Sequence, residues 1–126
     1  MPTTLPEPWL SFLKELDPIA GESTKIPCIG GFAVTQYYGS ARTTVDLDVI
    51  DVAPIASRNR LMEAGGKGSP LARKHNVYLD FVGIAQVPFE YEGRLVSIYE
   101  GVFENLHLQV MDPYDIETLR HSIAVL

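Results

Sequence analysis

The chain has 126 residues, 46% of them hydrophobic and 21% charged, with 10 Lys+Arg against 16 Asp+Glu for a formal net charge of −6. These values suit one globular domain spanning residues 1–126, large enough to bury a core without disulfides. A single cysteine excludes a disulfide framework and a cysteine-rich zinc site, no run approaches the ~18 apolar residues of a membrane span, and the acidic balance argues against a generic nucleic-acid binder.

The first ten residues contain Glu7 and no Lys or Arg, unlike a secretory signal, so a reducing cytoplasm is the expected compartment. Glu7 to Leu16 reads as a short helix, with Trp9, Leu13 and Leu16 at helical spacing and Pro18 and Gly21 ending it. Ile26 to Ile29 reads as a buried strand that contains Pro27. Gly30-Gly31 breaks it, and Phe32 to Tyr38 fits a helix that stops at Gly39. Val45 to Val52 is the next strand, closed by Pro54. Ile55 to Ala64 is helical, and the loop Gly65-Gly66-Lys67-Gly68 follows. Ser69-Pro70 opens a short helix carrying Arg73, Lys74 and His75. Strands are expected at Val77–Val82, Arg94–Tyr99 and His107–Met111, and Asp112-Pro113 opens a last helix. The alternation indicates an α/β (α+β) domain with a mixed sheet flanked by helices.

Charge is unevenly distributed. Residues 58–74 hold Arg58, Arg60, Lys67, Arg73 and Lys74 against Glu63 alone. Such an island is either a solvated face or a landing site for phosphates, and His75 could join it. Cys28, within an apolar run, reads as a core residue and not a nucleophile. His75, His107 and His121 are spaced too irregularly for a zinc site.

The chemistry concentrates between Gly30 and Asp48. Side chains alternate along a strand, so Asp46 and Asp48 share a face, roughly 7 Å apart. Strands usually avoid aspartate, and two such carboxylates repel unless a cation lies between them. Oxygen ligands of this kind suit Mg²⁺. The plainer alternative is a wet edge strand. Gly30-Gly31 before a helix lets a phosphate approach free backbone N–H groups, although a Gly-Gly pair is often only a turn. Asp80, mid-strand among apolar neighbours, is the candidate third carboxylate for a two-metal phosphoryl-transfer site. Asp51 faces away from Asp46 and Asp48 by strand parity. Lys67 in its glycine loop is a candidate phosphate contact.

The spacing Gly30-Gly31…Arg42-Thr43-Thr44-x-Asp46-Leu47-Asp48 resembles the signature of the minimal nucleotidyltransferases of the DNA polymerase β superfamily. Within that group it is most similar to the bacterial AbiEii-like proteins, which include toxin components of abortive-infection systems. Gly66 to Leu79 and Leu108 to Asp115 also resemble an uncharacterised branch, so the resemblance covers roughly residues 24–118. It implies a nucleoside triphosphate (NTP) donor and Mg²⁺, with two ions expected. By the same resemblance Gly30 and Gly31 hold the triphosphate, and Asp46, Asp48 and Asp80 form the catalytic metal-binding set; Arg42, four residues before Asp46, is either a phosphate contact or a surface residue fixing the turn. The acceptor would be a hydroxyl on RNA, protein or a small molecule, and an antitoxin or other partner subunit is expected. AbiEii-like proteins continue past this region with a lysine-bearing helix and an Arg-Asp pair. Here Ile116 to His121 follows and the sequence stops at Leu126, which reads as a domain shortened at its C-terminus.

Three functions fit these residues. The first is a nucleotidyltransferase. The second is a catalytically degenerate module of that fold, acting as a nucleotide sensor or protein-binding subunit. The third is a structural domain with an acidic sheet edge.

Overall fold

A computed structural model describes residues 5–29, 45–82 and 91–110. Gly30, Gly31 and Arg42, the expected helix at Phe32–Tyr38 and the expected last helix lie outside the described residues.

The described elements run α1 (Trp9–Ala20), β1 (Thr24–Ile29), β2 (Asp46–Val49), α2 (Ile55–Gly65), α3 (Pro70–His75), β3 (Tyr78–Phe81), a 3₁₀ turn (Tyr91–Arg94), β4 (Val96–Ser97) and β5 (Leu106–Val110). The strands form one mixed five-stranded sheet in the order β3-β2-β1-β5-β4. β1 is antiparallel to β2 and parallel to β5. β2 is parallel to β3, and β4 is antiparallel to β5. The fold is therefore mixed α/β, as the alternation of patterns indicates.

One core organises it. Phe12, Leu13 and Leu16 from α1 meet Leu61 from α2, and Ile26, Leu47, Leu79 and Leu108 from four strands close over them. Burying each such side chain contributes about 2 kcal/mol. Parity then dictates the other face. Leu47 and Val49 are buried, so Asp46 and Asp48 point away from this core.

Several expected boundaries move. α1 does not end at Pro18; it runs through that proline to Ala20, and Gly21 N–H donates to the Pro18 carbonyl. Pro18 is exposed, and Ala20 beyond it is buried in the core, so packing extends the helix past a local stop signal. α3 starts as read: the Ser69 side chain accepts a hydrogen bond from Ala72 N–H at 3.2 Å, with Pro70 in the first turn. The fourth expected strand shrinks to Val96–Ser97, preceded by the 3₁₀ turn.

The strand expected over Val45–Val52 is regular only at Asp46–Val49. Lys25 pairs with Ala53, and Cys28 pairs with Val49. One more residue lies on the β2 side of that interval than on the β1 side, which makes a bulge. Pro27 accepts from Ile50 N–H at 3.1 Å but has no N–H to return. Asp51 follows with φ of 46°. Proline within a central strand is accommodated by a bulge of this kind. The bulge ends β2 just past the two aspartates.

Among the described residues, no helix is long and apolar enough to cross a membrane.

Candidate metal centre

Asp46 and Asp48 come from β2 and Asp80 from β3. The two strands are parallel, with Asp46 level with Tyr78 and Asp48 level with Asp80. Hydrogen bonds from Tyr78 N–H to the Val45 carbonyl and from Val82 N–H to the Val49 carbonyl, both 3.0 Å, hold this register. On β3 the buried Leu79 fixes the opposite parity, so Asp80 joins the face of Asp46 and Asp48. One carboxylate oxygen from each residue lies within 4.8 Å of the others.

Asp46 and Asp48 are half-buried and Asp80 is exposed. Burial, then the charge and hydrogen bonding of Asp46 and Asp80, pushes the Asp48 carboxyl up from 3.8 to about 7. Three like charges so close disfavour full ionisation, and a proton or a cation relieves them. The donor set is all hard oxygen, with one exposed member giving access from solvent. Asp46, Asp48 and Asp80 can therefore hold a metal ion, and the chemistry of the donors fits a hard divalent cation.

Ile29, at the end of β1, stands level with Asp48 on the other flank of β2. Gly30 and Gly31 follow it directly in sequence, although their placement lies outside the described residues. Asp51 is displaced by the bulge and is not part of the trio.

The structure divides the basic island. Arg60 is tied to the end of α1: its Nε and Nη2 donate to the Ala20 carbonyl at 3.1 and 2.7 Å, and Nη2 also reaches Glu22 at 3.2 Å. Lys74 donates to Glu15 at 2.7 Å, and His75 contacts the same carboxylate. His75 also packs edge-on against Phe12. The Lys74 hydrogen bond, then that of His75, holds the Glu15 carboxyl below its ordinary value. Arg58 lies 5.5 Å from the Phe81 ring centroid. Arg60, Lys74 and His75 therefore act as ties between helices. Lys67 differs: its Nζ is 5.8 Å from the ring centroid of Tyr78, the residue level with Asp46.

Cys28 is fully buried, and burial pushes its thiol up to about 12, which leaves it protonated and inert. Two contributors escaped the sequence reading. Tyr78 was detectable, because it lies two residues before Asp80 and so shares its face. Asp17 was not: its carboxylate accepts from Glu104, Asn105 and Leu106 N–H groups at 2.8, 2.7 and 2.9 Å, anchoring the entry to β5.

No protein-family model, curated protein or solved structure matches the chain.

Proposed function

We propose that the chain is a metal-dependent nucleotidyltransferase, a relative of the minimal enzymes of the DNA polymerase β superfamily and of their AbiEii-like branch. The observation that carries this reading is the convergence of Asp46, Asp48 and Asp80 from two parallel strands. The Gly30-Gly31 pair immediately after β1 adds a candidate cradle for the triphosphate, and Arg42 a further phosphate contact.

The reaction joins the acceptor hydroxyl oxygen to the α-phosphorus of an NTP. The bond from that phosphorus to the oxygen bridging to the β-phosphate breaks, and pyrophosphate leaves. Asp80, exposed at the edge of the trio, receives the hydroxyl proton and orients the oxygen. Asp46 and Asp48 hold Mg²⁺. Bound there, the metal supplies neutralisation of charge on the α-phosphate and on the departing pyrophosphate.

Calorimetric titration with Mg²⁺ and each of the four NTPs tests this directly, alongside radiolabelled transfer from NTP to cellular RNA and protein. Binding of both, with label transfer that disappears in Asp46→Asn, is the expected result. The reading fails when the chain binds neither. Equal silence of wild type and variant, with NTP still bound, would instead favour a nucleotide-sensing module.

A further inference from the structure

We propose that the cavity past the carboxyl ends of β2 and β3 binds a free α-amino acid with an apolar side chain, its carboxylate on Arg58 and its ammonium on Asp51. This site is separate from the three carboxylates and does not depend on the transferase reading.

The cavity measures about 360 Å³ and takes part of its wall from α2. Val49 and Phe81 line it; they are register partners that immediately follow Asp48 and Asp80. Parity turns their side chains to the face opposite the carboxylates. Val49 and Val52 are buried at its floor, whereas Ile55, 71% exposed, and Val82, 37% exposed, leave apolar surface at its rim. That volume sits at the small end of the range for small-molecule sites.

One cation and one anion interrupt an otherwise apolar lining. Arg58 rests over the Phe81 ring, 5.5 Å from its centroid, and a guanidinium on an aromatic face keeps its N–H fork for a carboxylate. α2 begins here at Ile55 with no side-chain cap, so the positive end of its dipole reinforces Arg58. The bulge opposite Pro27 brings Asp51, at φ of 46°, into the lining. Among the described residues no ion pair joins Arg58 to Asp51. A carboxylate has acceptor positions beyond those one partner fills, so Asp51 takes an ammonium whatever else it contacts. A zwitterion answers both charges, and a branched or aromatic side chain answers Val52, Ile55 and Val82. A simple acid would set its anion against Asp51, and a simple amine would set its cation against Arg58.

The test titrates the full chain with L-leucine and L-phenylalanine and follows amide proton–nitrogen correlation spectra. Millimolar ligand is expected to shift the amides of Asp51, Val52, Ile55 and Val82. Arg58→Gln and Asp51→Asn are each expected to weaken binding about tenfold or more. Asparagine tolerates the left-handed backbone of Asp51, and glutamine keeps the helix propensity of Arg58, so both variants keep the fold. Isocaproate, which lacks the ammonium of leucine, and isoamylamine, which lacks its carboxylate, are expected to lose a similar factor. The proposal is overturned if neither amino acid shifts those amides, if either variant binds as wild type does, or if either analogue binds as well as leucine. Shifts centred on Asp46 and Tyr78 also overturn it, because they place the ligand on the carboxylate face.

Discussion

Asp48 and Asp80 stand opposite one another as register partners on parallel strands, far apart in the chain yet close enough to share a proton. Burial of Asp48, then the charge of Asp46 and Asp80 beside it, sets the acid-base behaviour of the site.

The Asp48 carboxyl titrates near 7 in the folded chain and near 3.8 in isolation. A raised carboxyl favours the fold fully below the lower value, and that contribution is lost as pH rises through the upper one. The metal-free protein is therefore expected to lose thermal stability between pH 4 and 7, and added Mg²⁺ to restore it above 7. Mg²⁺ must displace one proton, so its affinity is expected to rise about tenfold per pH unit up to about 7 and then level off. Asp48→Asn should flatten the pH dependence and abolish the response to Mg²⁺. Scanning calorimetry across this range, with and without metal, checks all three; a flat wild-type profile contradicts the shared-proton picture.

Asp17→Ala removes an acceptor that serves three consecutive backbone N–H groups at the start of β5. Hydrogen bonds to an ionised acceptor are worth more than neutral ones, and the orphaned donors must find water. Urea denaturation should show a loss of about 2 kcal/mol.

Arg60→Ala distinguishes a tie from a phosphate contact. The guanidinium closes the end of α1 through the Ala20 carbonyl. Its loss should cost about 1 kcal/mol in stability and leave Mg²⁺ affinity at the wild-type value. A fall in metal or nucleotide affinity would return Arg60 to the site.

Gly66→Ala probes the turn that carries Lys67. A Cβ at Gly66 would approach the Met62 carbonyl oxygen to 2.5 Å, so backbone must shift. The expected cost is about 1–3 kcal/mol, read by urea denaturation.

Local chemistry was legible in the sequence. Ser69-Pro70 announces its helix because capping is a short-range effect, and the alternation around Leu47 places Asp46 and Asp48 on one face. Which strand stands beside them is a matter of tertiary pairing. Nothing between Val77 and Val82 says that Asp80 must sit level with Asp48; packing of α2 and α3 between the strands decides it. The same holds for charge. Lys74 and Arg60 read as surface cations until α1 supplies Glu15 and the Ala20 carbonyl. Asp51 was set aside by counting, and the fold sets it aside by inserting a bulge opposite Pro27.

The pairing of β2 with β3 protects itself. A slip by one position would turn Leu79 out to water and drive Asp80 into a greasy interior, a double penalty that no folded alternative survives. Any sequence that keeps the hydrophobic half of this sandwich intact therefore keeps the acidic half aligned. Drift elsewhere in the chain can reshape the surface long before it scatters the three oxygens.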